Sequence, residues 1–156
     1  LSNFSPEEYR VHHAVVYTND VNLSLRSRII QQYEGYESYT IIARSALVTS
    51  SSKIAGGCAL MEGAIVNGAI LAQNSVINTK AVIEHGCILG NNVFVGPGAI
   101  VCGDTCIGDN VLVGAGVIIR DGIEITENVT IGMGSVVVRS IVEPGVYLGN
   151  PCRKIR

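Results

Sequence analysis

Residues 89–137 read LGNNVFVGPGAIVCGDTCIGDNVLVGAGVIIRDGIEITENVTIGMGSVV. Every sixth residue from Leu89 is aliphatic: Leu89, Val95, Val101, Ile107, Val113, Ile119, Ile125, Ile131 and Val137. Gly follows at 90, 96, 108, 114 and 132. Four places after the aliphatic residue stands a small or β-branched one, as at Ala99, Thr105, Val111, Val117, Val129 and Ser135. The same period starts earlier, at Ile42, Val48, Ile54, Leu60 and Val66, with Ala46, Ser52, Cys58 and Ala64 in the small place. Carried on at that spacing it reaches Ala72, Asn78 and Glu84, and then slips by one residue before Leu89. A period of six fits neither an α-helix nor an alternating strand. It fits a solenoid in which each hexad makes one flat wall and three hexads close a triangular coil. The aliphatic residue then points inward and stacks on its equivalent 18 residues away. Small residues and Gly permit the tight corners. Residues 42–142 give five to six coils of an all-β parallel β-helix. In this phase Asn78 and Glu84 take inward places, and the slip falls beside His85.

Outside the repeat, residues 1–41 read as one β-α unit. A strand is expected over roughly Val11–Tyr17. A helix follows with Asn22 as N-cap, with Leu25, Ile29, Ile30 and Tyr33 on one face, and Gly35 stops it. Such a unit is too small to fold alone. The 156-residue chain is therefore one β-helical domain, 42–156, with an appendage, 1–41. Hydrophobic residues make up 47%, but there is no Trp and only 6 Tyr and 2 Phe, so the core is aliphatic. Charged residues are 15%, few enough to suggest surface hidden in an oligomer. The net charge of −2 gives no electrostatic case for nucleic acid or an anionic membrane. No apolar run is long enough for a transmembrane helix, and LSNFSPEEYR lacks the character of a signal peptide. The absence of an initiator Met points to a fragment. The Cys at 58, 87, 102, 106 and 152 form neither CxxC nor a Cys/His metal spacing. They read as small hydrophobes in a reducing cytoplasm, and no metal is expected.

The hexads, the segment INTKAVIEHGCILG and the ending VEPGVYLGNPCRKIR together resemble the hexapeptide-repeat acyltransferases. Within them the chain is similar to the sialic-acid O-acetyltransferase / UDP-amino-sugar N-acetyltransferase family of bacterial surface-glycan synthesis. The resemblance covers roughly residues 14–156, and the stretch Asn78–Cys87 is its more specific part. It implies a left-handed coil, a homotrimer, and acetyl-CoA lying between neighbouring β-helices. It also implies an N-terminal Rossmann-like domain holding a sugar nucleotide. Residues 15–33 look like that domain's last strand and helix, and no Gly-rich phosphate loop occurs in residues 1–41.

Acetyl transfer from a thioester to an amine or hydroxyl needs a base for the acceptor's proton and donors for the oxyanion. Histidine suits the first task because its ordinary pKa, about 6.5, lies near working pH. Of His12, His13 and His85, the first two are adjacent on the expected strand and read as structural. His85, inside the specific segment, is the expected base. Glu84 and Asn78 are expected to orient it or meet the substrate. The resemblance places acetyl-CoA at Phe94, Ala115 and Met133, along Gly114 and Gly132, with a backbone donor at Gly103. Ala115 and Met133 are 18 apart and so stack. Arg153, Lys154 and Arg156 are candidates for the 3′-phosphate. Gly86 stands where the family commonly carries Asp or Glu. Two other readings stay open: a serine or small-metabolite acetyltransferase, and a non-catalytic trimeric β-helix module. A zinc carbonic anhydrase is disfavoured, because His85 is alone in the repeat.

Overall fold

A computed structural model describes residues 5–13 and 24–156. The repeat forms a parallel β-solenoid of short strands, mostly two residues long, separated by corner turns. Three sheets make its faces. One holds six strands, from Leu47–Val48 up to Val136–Val137, which counts six coils. The second holds five, from Lys53–Ile54 to Glu124–Ile125. The third holds eight, from Ile41–Ile42 to the closing antiparallel strand Arg153–Lys154. The hydrogen bonds run between coils, as the period of six requires. The second residue of each pair points inward: Leu89, Val95, Val101, Val113, Ile119 and Ile131 are all 0% exposed.

The early phase needs correction. The inward residues are Leu71, Ile77 and Ile83, not Ala72, Asn78 and Glu84. The slip lies at the Asn67–Gly68 corner, which is one residue shorter than its neighbours. There Ile54 pairs with Leu71, Leu60 with Ile77 and Val66 with Ile83, each one residue short of the regular offset. By Leu71↔Leu89 the regular offset of 18 is restored. Residue type points to this phase as well, because Leu71, Ile77 and Ile83 are aliphatic at the same spacing, one place before Ala72, Asn78 and Glu84. Desolvation decides, since the earlier phase would bury an amide and a carboxylate in an aliphatic stack. A further irregularity follows Val137, where Ile141 pairs with Ile125 and Tyr147 with Ile131.

From Gly57 to Gly134 each corner contains a residue in the left-handed region. At one corner these are Asn74, Asn92, Asn110 and Asn128, with φ of 60°, 58°, 56° and 57°. Asparagine tolerates this region better than other side chains. The Asn92 Nδ2 donates to Asn110 Oδ1 at 3.2 Å, so the stack bonds to itself.

The appendage packs on that corner. Helix Ser24–Gln31 carries Arg26, 4% exposed, whose guanidinium donates to the Asn74 carbonyl at 2.6 Å and to Asn92 Oδ1 at 3.4 Å. Strand Arg10–Val11 pairs in parallel with Glu37–Ser38. The expected strand beyond residue 13, the Asn22 cap and the Leu25 side chain lie outside the described residues. The helix ends at Gln31, and turns carry the chain past Gly35. No helix among the described residues is long and apolar enough to cross a membrane.

Leu89 sits mid-stack with no exposure, so Leu89→Ala opens a cavity between coils. Urea denaturation at fixed protein concentration is expected to show a loss of about 2–5 kcal/mol.

Candidate active site

The faces are flat and regular, so side chains free to do chemistry collect at corners. Glu84, His85 and Gly86 form one corner, between strands Val82–Ile83 and Ile88–Leu89. Gly68 lies one coil before and Gly103 one coil after. The imidazole leans over Gly103: a Cβ there would come within 2.7 Å of His85 Cε1 and 3.0 Å of Nε2. Only glycine leaves this space. The corner is pinned by backbone bonds, with Gly86 N donating to the Gly68 carbonyl at 3.2 Å and Asp104 N to the His85 carbonyl at 2.8 Å. The exposed ring of His85 makes no hydrogen bond among the described residues, so both nitrogens remain available.

The other histidines are committed elsewhere. The His12 ring meets the Tyr39 carbonyl at 2.9 Å. His13 is buried edge-on against Tyr33, and burial, then Arg26 and His12, push its pKa down. The cysteines near the corner are poor nucleophiles. Cys87 is fully buried, which pushes its thiol up, and it bonds the Cys102 carbonyl. The Cys102 thiol is raised by burial and then by the charges of Asp121 and Glu84. Cys106 is exposed on the five-stranded face, unlike the small buried hydrophobe expected there. Among the described residues no three His, Cys, Asp or Glu side chains cluster as metal ligands would.

Glu84 stands beside His85 in sequence but turns to the coil before, where its carboxylate accepts from Asn67 Nδ2 at 3.0 Å. No hydrogen bond joins it to His85. Asn78 belongs to the preceding corner, where its Oδ1 accepts from Thr79 N at 2.7 Å. That corner stacks Asn78 with Gly96, Gly114 and Gly132, and beside them Ala115 under Met133. A Cβ on Gly114 would lie 2.6 Å from Met133 N, so the coil spacing itself requires this glycine ladder. Ala115 is exposed and Met133 is 76% exposed. Phe94 stands apart, 8% exposed on the eight-stranded face, packed with Ala59, Val76 and Leu112. Lys154 is taken by an ion pair with Glu143 at 2.8 Å, and Arg153 donates to the Cys152 carbonyl.

The expected residues thus fall at two corners. Glu84, His85 and Gly103 share one. Asn78, Gly114, Ala115, Gly132 and Met133 share the other. One hexad, at most about 20 Å of chain, separates the corners across the six-stranded face. That face carries an outward aliphatic row of Leu47, Ile65, Val82, Ile100, Ile118 and Val136. Asp104 and the short Asn67–Gly68 corner are neighbours of His85 that the sequence reading missed. Adding the 18-residue coil length to Gly86 would have found Asp104.

Residues 104–139 match the bacterial transferase hexapeptide (six repeats) family. Among solved structures, the acetyltransferase domain of PglB from Neisseria gonorrhoeae is similar to this chain at 30% identity, with a TM-score of 0.90. The match covers 98% of this chain and 74% of that one. Perosamine N-acetyltransferase from Caulobacter crescentus, in complex with CoA and GDP-perosamine, matches at 25% identity over 96% and 70% of the two chains, TM-score 0.86. WeeI from Acinetobacter baumannii, at 22% identity over 87% and 68% of the chains, shares the fold with a TM-score of 0.78. A search of curated proteins finds no match. The chain belongs to the hexapeptide-repeat acyltransferases and resembles the sugar acetyltransferases among them.

Gly103 has ordinary backbone angles, so Gly103→Ala tests the ring's position without straining the turn. Circular dichroism is expected to be unchanged, while displacement of His85 lowers turnover about a hundredfold.

Proposed function

We propose that this enzyme transfers an acetyl group from acetyl-CoA to the amine of a nucleotide-linked amino sugar in bacterial surface-glycan synthesis, with His85 as general base. The observation that carries this reading is an uncommitted imidazole laid over Gly103, in a chain similar over nearly its whole length to an acetyltransferase domain. That domain has also been solved with acetyl coenzyme A. The perosamine N-acetyltransferase, solved with a nucleotide-linked amino sugar, favours this acceptor class over serine or another small metabolite.

In the reaction the acceptor nitrogen attacks the thioester carbonyl carbon, and His85 takes the proton that nitrogen loses. The oxyanion of the tetrahedral intermediate meets the Gly103 N–H, which donates to no carbonyl among the described residues. The intermediate collapses as the C–S bond breaks, and the leaving CoA thiolate takes the proton from the imidazolium. The exposed ledge of Ala115 and Met133, beside Gly114 and Gly132, suits a pantetheine chain running along the solenoid axis.

The working unit is a homotrimer. A closed ring needs two unlike patches on each copy. Two unlike faces meet at the His85 corner: the apolar six-stranded face, with Leu47, Ile100 and Ile118 exposed, and the five-stranded face, where exposed Ile70 and Ile88 lie between Lys53 and Cys106. Packing across these faces would bring His85 of one copy near the glycine ladder of the next.

With acetyl-CoA and a panel of GDP- and UDP-linked amino sugars, His85→Ala is expected to lose at least about a hundredfold in kcat. Its acetyl-CoA affinity by calorimetry should be unchanged. An unaltered rate excludes His85 as base, and no binding at millimolar acetyl-CoA rejects the enzyme reading. Light scattering is expected to give about 50 kDa, three chains of 16.5 kDa, and Ile118→Asp to give a monomer of the same fold. A wild-type monomer would reject the trimer.

A further inference from the structure

We propose that Asp104, which stands over Gly86 from the next coil and is bonded through its backbone to the His85 carbonyl, is the carboxylate that supports the imidazolium formed during transfer. The inference rests on His85 being the base. A base that takes the acceptor's proton becomes a cation in a site that will exclude water when substrates and neighbouring copies close on it. An adjacent carboxylate stabilises that cation. Glu84 does not serve, because its carboxylate is bonded to Asn67 in the coil before.

Asp104 is placed to do so. Its backbone N–H donates to the His85 carbonyl at 2.8 Å. Its side chain stands over Gly86, in the space a side chain at 86 would occupy. A Cβ on Gly86 would collide with Asp104 Oδ1 and lie 3.1 Å from its Cγ. The glycine after the histidine is thus the vacancy that admits a carboxylate from the following coil. That carboxylate makes no hydrogen bond among the described residues, so its charge is not spent elsewhere.

The residue type is telling as well. Non-glycine residues in the left-handed corner place, among those described, are Asn74, Lys80, Asn92, Asp104, Asn110 and Asn128. Backbone geometry favours asparagine and aspartate alike there. The one acidic member is the one beside His85. Asparagine at 104 would serve the turn equally well and would remove only the charge.

Asp104→Asn is therefore the test, read as release of CoA thiol from acetyl-CoA with the best acceptor of the panel and with water alone. Thermal stability and circular dichroism should match the wild type. We expect kcat to fall about tenfold, the equivalent of one unit of electrostatic support to the base, with KM for acetyl-CoA within about twofold. In the His85→Ala background the same change should cost nothing further. The exchange Gly86→Asp with Asp104→Gly, which returns a carboxylate to the same space from the other coil, should restore most of the rate. An unchanged kcat in Asp104→Asn, alongside an inactive His85→Ala, overturns the role of Asp104 and leaves His85 as base. An equal loss with and without His85 overturns it too. An active His85→Ala instead removes the reading on which the inference stands.

Discussion

Everything in this protein depends on the parallel hydrogen-bonding of one coil onto the next. Adjacent strands lie about 4.8 Å apart, and the bonds fix which residue stands over which. A residue's spatial neighbours are therefore those 18 positions away, 17 across the short corner, or 16 where the last coil closes. Glycine is dictated by the same spacing. At Gly96 and Gly114 a Cβ would strike the backbone of the following coil, so these positions are glycine whether or not a ligand passes them. The aliphatic stack fills the interior, and the small polar groups buried with it, Ser75, Thr105 and Ser135, each bond a backbone carbonyl.

The division of labour between faces and corners follows. A two-residue strand has one side chain inside and one outside, and the outer one belongs to a continuous row. The row of Leu, Ile and Val on the six-stranded face, with Ile70 and Ile88 on the five-stranded face, gives flat apolar surface suited to association. These side chains also explain a chain with little charge and no large aromatic core. The corners break the row, turn the backbone through the left-handed region and release side chains from packing. His85 is at such a place, held by backbone bonds to the coils on both sides and backed by a glycine that gives its ring room.

The short corner at Asn67–Gly68 shows how the two levels interact. Along the chain it lies 17 residues before His85, yet in space it is directly adjacent. Reading the slip next to His85 in sequence misplaced it, and it put Asn78 and Glu84 inside. With the register corrected, Glu84 turns to Asn67 and Asn78 belongs to another corner. The conclusion that the irregular part of the repeat adjoins the histidine survives, but the coils carry it and the local sequence does not. Gly86 changes meaning in the same way. As one position in a string it is a missing acid, whereas between two coils it is the space that Asp104 fills.

The sequence by itself determined the period of six, the aliphatic interior from Leu89 to Val137, the glycine corners and the singling out of His85. These are properties of residue type at fixed spacing, and burial acts on residue type directly. The tertiary structure set the register between residues 66 and 89, and residue type agrees with it, since the other phase puts Asn78 and Glu84 inside in place of Ile77 and Ile83. Only the tertiary structure sorted the candidate residues into two corners and sealed Phe94 among Ala59, Val76 and Leu112. Only it brought Asp104 over Gly86. Those facts depend on which coil lies on which, and the backbone hydrogen bonds between coils set that order.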